Sequence, residues 1–445
     1  MKIESFRTPG LGDQSYLLTH EGIGVLVDPQ RDVDRFIDAA DAQGVDVRFV
    51  LETHLHNDYV SGGVEAARLT GAELVLPAAA APAYDHRAAY HLEDIEGPGL
   101  TLRPIHTPGH TPEHTSYAVI IEGRPVAVFS GGSLLVGSAG RPDLLGPARA
   151  RSLGKLQWRS VNRLAELPDD VELLPTHGEG SFCTVSGTGS YTSTIGVEKA
   201  DNPVLQTATA DEMADLLLAQ PMPIPAFYQH MGPANTLGVP DIRRGPVPSL
   251  SVAALELLPD DTTVIDIRSR AEQAAGYLPG SLTIEFADDF GSWAAWLAPH
   301  GAPIVLVASA NDDRAAQAVT QLAQVGVDDV RGVITDLSDS RLETFELREL
   351  DAFRPLVDGT TPVLDVRMPS EHRSEPMPGA IEKFLPELLS DGLPVDIEGA
   401  RRVLVVCGSG RRASIAASIL GARGISTVVL DGASAGELAR TPVAA

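Results

Sequence analysis

Two sets of side chains in this sequence have the types and spacing of chemistry. One is a thiol heading a glycine-rich turn, Cys407-Gly408-Ser409-Gly410-Arg411-Arg412. It follows the unbroken aliphatic run Val403-Leu404-Val405-Val406, the pattern of a buried strand. The stretch 413–420 after it reads as a helix stopped by Gly421. A strand–turn–helix of this kind aims backbone N–H groups and a helix N-terminus at the side chain that heads the turn. With Arg411 and Arg412 adjacent, such a cradle holds an anionic sulfur, whether thiolate or persulfide. Cys407 is therefore the expected nucleophile and Arg412 its catalytic neighbour. Gly408, Ser409, Gly410 and Arg411 are expected to surround the substrate.

The second set is imidazole. Thr53-His54-Leu55-His56-Asn57-Asp58 and His106-Thr107-Pro108-Gly109-His110-Thr111 both lie where a strand is expected to end. Alternate residues of an extended loop point the same way, so His54 and His56 converge, and His110 arrives from a separate turn. Imidazoles from several loops at one sheet edge make a metal site. The expected ligands are His54, His56 and His110, with Asp58, His177 and Asp143 as further ligands or as groups that support them. Glu113 and His114 are candidates for the same supporting role or for a cap. Cys183 is expected to be a packed, inert thiol.

The elements that must carry these loops alternate in type. Apolar runs at 16–18, 24–28, 48–51, 73–76, 100–105, 116–121, 125–129 and 172–174 read as strands. Helical spacing appears at 32–43, 152–164 and 210–219. The segment 185–247 is rich in Gly, Pro, Thr and Asn and reads as a tail running into a linker at Gly245-Pro246-Val247-Pro248.

Beyond that linker the sequence repeats itself. Val264-Ile265-Asp266-Ile267-Arg268 matches Val363-Leu364-Asp365-Val366-Arg367, Leu278-Pro279-Gly280 matches Met377-Pro378-Gly379, and Ile304–Ala308 matches Val403–Cys407. The offsets 365−266, 378−279 and 407−308 all equal 99. Two copies of one α/β unit in tandem are expected. The first copy carries Ala308 where the second carries Cys407, and Asp312 and Asp313 where the second is arginine-rich. It has no sulfur to carry and is expected to be structural.

Composition bounds the partners. The chain has 445 residues, 43% of them hydrophobic, and a formal net charge of −26. So negative a surface repels nucleic acid and anionic lipid, and neither is expected as a partner. No run approaches the roughly 20 apolar residues of a membrane span. Two cysteines in separate regions and no apolar stretch after the first charged residues fit a cytoplasmic enzyme. A homo-oligomer is expected.

The motifs carry a family resemblance. Cys407-x-x-Gly410-x-Arg412, with Asp365-Val366-Arg367 and Pro378-Gly379-Ala380 upstream, resembles the active loop of rhodaneses, and both repeats resemble rhodanese domains. That likeness implies that Cys407 accepts a sulfane sulfur and hands it to a nucleophile. A six-residue loop suits sulfur better than the longer loop of the related phosphatases. The histidine motifs, with Gly140-Arg141-Pro142-Asp143-Leu144, resemble the metallo-β-lactamase fold and, within it, the persulfide dioxygenases. Arg141 falls in that family's substrate-pocket segment.

The order of modules resembles bacterial three-domain persulfide dioxygenase–sulfurtransferase fusions along the whole chain. It implies an α/β protein: a metallo-β-lactamase αββα sandwich over 1–247, a thiol-less rhodanese-like domain over 248–346 and an active one over 347–445. It also implies mononuclear Fe(II), with zinc as the alternative, and small-molecule thiol persulfides, sulfite and thiosulfate as reactants. A thiol persulfide and O₂ would give thiol and sulfite, and Cys407 would join sulfite to a second sulfane sulfur as thiosulfate. Two positions depart from the pattern. Tyr59 follows Asp58 where relatives with a second metal have His, and Gly132 stands where the dioxygenases have the Asp that completes a two-His-one-carboxylate triad. His56, Asp58 or a solvent ligand would have to fill that place, and Gly132→Asp is expected to restore it. A sulfurtransferase with a degenerate first domain and a zinc-dependent thioester hydrolase of the glyoxalase II type are the alternatives.

Overall fold

The computed structural model describes residues 1–184, 190–219, 222–310 and 312–440. Parts of the expected tail at 185–247, Asn311 in the loop after Ala308, and the last five positions of the expected third domain lie outside them. Met1–Arg243 with Ala323–Gly326 form one compact unit, and Arg244–Leu322 with residues 327–440 another.

The first unit is a sandwich of two six-stranded sheets. One runs in the order Lys2–Thr8, Asp13–His20, Ile23–Val27, Asp46–Leu51, Glu73–Pro77, Arg87–Ala89, antiparallel at its start and parallel from Ile23–Val27 onward. The other runs Ser193–Thr194, Glu172–Pro175, Arg124–Gly131, Thr115–Ile121, Leu100–His106, Ile95–Gly97. Successive strand residues point to opposite faces. Val25, Val27, Phe49 and Leu51 therefore meet Tyr117, Val119, Phe129 and Leu174 between the sheets. Leu26 and Val50 face the other way and bury Phe36 and Ala66 of the helices Asp34–Gln43 and Gly63–Thr70. On the opposite side Ala118, Val128 and Leu173 bury Val161 and Leu164 of Pro147–Leu164 and Met213 and Leu217 of Ala210–Leu218. With both faces covered, the strands read as unbroken apolar runs, and their polar residues collect at their ends.

The segment read from sequence as a tail with one helix, at 210–219, holds three α-helices among its described residues, Ile195–Asp201, Ala210–Leu218 and Tyr228–Leu237. The last contains Gly232, Pro233 and Asn235, poor helix formers that hid it. Tertiary bonds override propensity there. The Asn235 amide donates to the carbonyls of His56 and Tyr59 at 2.8 Å each and accepts from Ser61 N at 2.8 Å, which fixes the loop after His54.

The second unit contains two five-stranded parallel sheets. Their orders are Ser249–Leu250, Val330–Ile334, Ile304–Val307, Thr263–Asp266, Leu282–Thr283 and Glu346–Arg348, Ser426–Leu430, Arg402–Val406, Val363–Asp365, Ile381–Glu382. These are the same topology twice, and side-chain bonding repeats with it. Arg268 donates to Asp266 and to the Gly276 carbonyl, and Arg367 to Asp365 and to the Glu375 carbonyl. The two halves share one core, in which Ile265, Leu306 and Phe290 pack with Leu364, Val405 and Ile419. Among the described residues, no helix is long and apolar enough to cross a membrane.

Candidate metal centre and thiol site

Five strand ends converge at one edge of the sandwich. Asp28 follows Ile23–Val27, Glu52 and Thr53 follow Asp46–Leu51, the loop with His110 and His114 leaves Leu100–His106, Gly132 follows Arg124–Gly131, and Thr176 and His177 follow Glu172–Pro175. Asp28 sits in the left-handed region, with φ of 50°, uncommon for a residue with a Cβ. Its carbonyl accepts from Ser15 Oγ at 2.6 Å and Tyr59 OH at 3.2 Å. Its carboxylate accepts from Thr53 N at 2.7 Å, from Thr53 Oγ1 at 2.8 Å and from Thr176 Oγ1. One carboxylate thus ties two strand ends together.

Three imidazoles present the same nitrogen to one place. His54 Nδ1 donates to Thr53 Oγ1 at 2.8 Å, because that hydroxyl spends its own proton on Asp28. His110 Nδ1 donates to the Arg141 carbonyl at 2.9 Å. His177 Nδ1 donates to Asp13 Oδ1 at 2.8 Å and also faces Asp58 Oδ2 at 3.3 Å. A ring whose Nδ1 holds the proton offers the Nε2 lone pair. The ligand atoms of His54, His110 and His177 lie within 4.8 Å of one another, and His54 Nε2 and His177 Nε2 are 3.3 Å apart. At metal–nitrogen bonds of about 2.0–2.1 Å, the edge of a tetrahedral site is roughly 3.3–3.4 Å. His110 Nε2 is buried with no hydrogen-bond partner among the described residues. Burial, joined by the neighbouring imidazoles, pushes His54 and His110 well below the ordinary histidine range, and burial also lowers His177. Neutral rings with an aimed lone pair are what a metal requires, so this trio fits one.

His56 does not join that trio. Its Nε2 lies 3.3 Å from both Asp28 Oδ1 and Glu52 Oε2 and 3.0 Å from Tyr59 OH. Burial opposes a charge on His56, but the two carboxylates outweigh it and hold it well above its ordinary range. Of the expected set, His54 and His110 lie together with His177, while His56 turns its Nε2 to Asp28 and Glu52 and keeps a buried Nδ1 with no hydrogen-bond partner among the described residues. Among the described residues, the other trios close enough to share an ion are His56–Asp58–His177 and Asp28–Glu52–His56. Asp58 stands behind His177, where it accepts from Cys183 Sγ at 3.2 Å, and its Oδ1 has no partner among the described residues. Burial pushes the carboxyls of Asp13, Glu52 and Asp58 up to about 8, 7 and 6. His114 is used at both nitrogens, with Thr107 Oγ1 at 2.8 Å and Gly132 N at 2.9 Å, and cannot be a ligand as placed.

Arg141 and Asp143, expected as a substrate contact and a possible metal ligand, pair with each other. The Arg141 guanidinium is 4% exposed and pairs with Asp143 at 2.6 and 2.8 Å. Its remaining protons go to the carbonyls of Phe182 at 3.1 Å and Met222 at 2.8 Å. It pins loops and has no face left for a substrate, and Asp143 serves it rather than a metal. Beside the histidines a groove of about 600 Å³ runs between Leu55, Asn57, Thr111, Arg149, Tyr228 and Leu237. Asp13, Asp28 and Glu52 were missed from sequence, although Asp28 and Glu52 each carry the one available signal, an acid directly after an apolar strand.

In the second unit Cys407 follows Arg402–Val406 and is 1% exposed. Its Sγ accepts from Gly410 N at 3.1 Å and Ser409 N at 3.5 Å, ahead of the helix Arg411–Gly421. Gly410 has φ of 96°, and a Cβ there would meet Arg270 Nη1 at 2.6 Å and the Leu430 carbonyl at 2.9 Å, so the turn requires glycine. Both arginines are engaged by carboxylates. Arg412 makes a two-pronged pair with Glu371 at 2.5 and 2.7 Å, and Arg411 Nη2 meets Asp289 Oδ1 at 2.6 Å. In the first repeat Ala308 holds the equivalent position, and Ser309 Oγ donates to Glu272 at 2.7 Å.

Comparison with known proteins places the first unit. A family model described as the metallo-beta-lactamase superfamily matches residues 9–177. A hydroxyacylglutathione hydrolase of Acidiphilium cryptum is 30% identical over 231 residues, 48% of this chain and 94% of that protein. One from Aeromonas salmonicida is 34% identical over 175 residues, 36% of this chain and 59% of that protein. Among solved structures, a metallo-beta-lactamase from Staphylococcus aureus subsp. aureus COL superposes with a TM-score of 0.69 at 26% identity, covering 75% of this chain and 99% of its own. ETHE1 from Myxococcus xanthus gives 0.46 at 25% identity, covering 53% and 98%. The chain belongs to the metallo-beta-lactamase superfamily. The αββα sandwich and the buried histidine cluster are what that membership means in this molecule.

Proposed function

We propose that this chain is an enzyme of low-molecular-weight thiol persulfides. Its first unit oxidises them at a mononuclear metal held by His54, His110 and His177, and its second is a sulfurtransferase of the rhodanese type with Cys407 as the sulfur carrier. The observation that carries the reading is the Cys407 cradle, two backbone amides aimed at a sulfur that heads a helix. Such amides stabilise negative charge on a thiolate and on the outer sulfur of a persulfide alike. Arg412 is locked to Glu371 and serves as the fixed rim of that cradle.

In the first unit, a bound iron would supply oxygen activation to a persulfide. The protein's own part is to hold the three rings. Thr53, the Arg141 carbonyl and Asp13 fix the Nδ1 protons, and Asp28 holds the loops. The groove beside Tyr228 and Leu237 is large enough for a thiol carrier of several residues' size. Oxygen uptake by iron-loaded protein given glutathione persulfide tests this half, and its absence refutes it. Transfer of sulfur from thiosulfate to cyanide, lost in Cys407→Ser, tests the other.

A second reading is supported by a specific observation. An all-imidazole trio with no carboxylate at position 132 also suits zinc, and the curated relatives named above are hydroxyacylglutathione hydrolases. Hydrolysis of a glutathione thioester by a colourless, zinc-loaded protein would favour that reading for the first unit. It leaves the role of Cys407 untouched.

A further inference from the structure

A cavity of about 330 Å³ adjoins the thiol loop, and the thiol-less repeat builds one of its walls. Asp289 and Trp293 come from that repeat, and Met368, Glu371, Arg411 and Arg412 from the other. Asp289 is the hinge of the arrangement. Its Oδ1 accepts from Arg411 Nη2 at 2.6 Å, and its Oδ2 accepts from Trp293 Nε1 at 2.9 Å. The same repeat reaches the thiol loop through Arg270, which donates to the Ser409 carbonyl at 2.7 Å.

The charge balance of this cavity is unlike that of a site for a small inorganic dianion. Both arginines beside the thiol already have a carboxylate, Arg411 that of Asp289 and Arg412 that of Glu371. A dianion such as thiosulfate must compete with Asp289 for Arg411 while lying near its charge. An organic persulfide brings at most one negative charge, on a terminal sulfur that the amides of Ser409 and Gly410 can meet, and a carbon skeleton that Trp293 and Met368 can cover. Resting on the sulfurtransferase reading of Cys407, we infer that the thiol-less repeat selects the sulfur donor. Asp289 masks Arg411 against inorganic dianions, and Trp293, held by the same carboxylate, forms the apolar seat of an organic persulfide.

The transfer is a displacement with no net redox change. The Cys407 thiolate attacks the terminal sulfur of R–S–S–H, a new S–S bond forms on Cys407, and the donor's own S–S bond breaks. R–S⁻ leaves with the electron pair and takes the proton of the transferred sulfur, giving R–SH and Cys407–S–S⁻.

The test compares donors on the full chain, with cyanide as acceptor and thiosulfate or glutathione persulfide as donor. In Asp289→Asn the KM for thiosulfate should fall by roughly three- to tenfold, the scale of one exposed charge pair, and that for glutathione persulfide should not fall. Asp289→Glu should restore the original preference. An unmoved thiosulfate KM in Asp289→Asn, or an equal fall for both donors, overturns the inference. If the unaltered protein takes sulfur from neither donor, the sulfurtransferase reading is what fails. Thiosulfate binding followed by tryptophan fluorescence then still decides the Asp289 question: tighter binding in Asp289→Asn supports the masking, and equal binding overturns it.

Discussion

The Nε2 atoms of His54 and His177 stand 3.3 Å apart in a fully buried setting, each on a ring whose Nδ1 is already hydrogen-bonded. Two neutral rings so placed gain from a shared cation. Removing a group that merely supports a ligand costs about 10–100-fold in metal affinity, and removing a ligand costs more. His54→Ala, His110→Ala and His177→Ala should each abolish stoichiometric metal, measured by elemental analysis of purified protein. His56→Gln should keep more metal than His177→Ala. The reverse order would return His56 to the ligand set.

Gly132 faces His110 more closely than the sequence suggested. A Cβ built there would lie 2.4 Å from His110 Cδ2 and 2.9 Å from its Nε2. Gly132→Asp therefore does not simply restore a ligand, because its carboxylate arrives with a clash against the ring it should join. Gly132→Ala isolates the steric part and should cost about 1–3 kcal/mol, the usual penalty of overpacking. A lowered Tm and reduced metal content in Gly132→Ala are expected. An Ala variant as stable and as metal-loaded as the parent would show that His110 yields freely.

Arg141 is predicted to be a stability residue. Its loss strands the carbonyls of Phe182 and Met222 and leaves Asp143 without its partner. Breaking a buried pair from one side costs about 3–5 kcal/mol. Arg141→Ala should lower Tm markedly while the KM of the surviving folded fraction stays near that of the parent. A raised KM with unchanged Tm would reinstate it as a substrate contact.

The pair beside the thiol gives a pH dependence with a definite sign. Burial tends to raise the Glu371 carboxyl, but bonding to Arg412 outweighs it and leaves the group below its usual 4.5. A depressed carboxyl binds fewer protons folded than unfolded, so its stabilisation is full above the unfolded value and lost as pH falls through the folded one. Between pH 6 and 3 the parent should lose more stability than Glu371→Gln, as read by urea unfolding. Parallel curves would mean that the pair contributes nothing.

The sandwich was legible in the sequence because its strands are apolar on both faces and end abruptly in polar residues, as at Leu51–His54. The tandem repeat was legible because Asp266–Arg268 and Asp365–Arg367 occur in constant register. The helix Tyr228–Leu237 was hidden by Gly232 and Pro233, since its reason to exist is tertiary, the Asn235 amide on the His56–Ser61 loop. The histidine cluster was half legible. Spacing places His54 and His56 on one side of a loop, but only three dimensions show that Asp28 and Glu52 claim His56 and that Asp13 turns His177 inward. The same holds at the thiol, where Asp289 lies more than a hundred positions from the Arg411 it neutralises.

Intact-mass analysis of the full chain after brief exposure to glutathione persulfide tests the central claim, that Cys407 is the sulfur carrier. The account predicts the added mass of one sulfur atom, mapped to Cys407, removed by cyanide with release of thiocyanate, and absent from Cys407→Ser. Sulfur carried on Cys183 instead, or none on the unaltered protein, would contradict it.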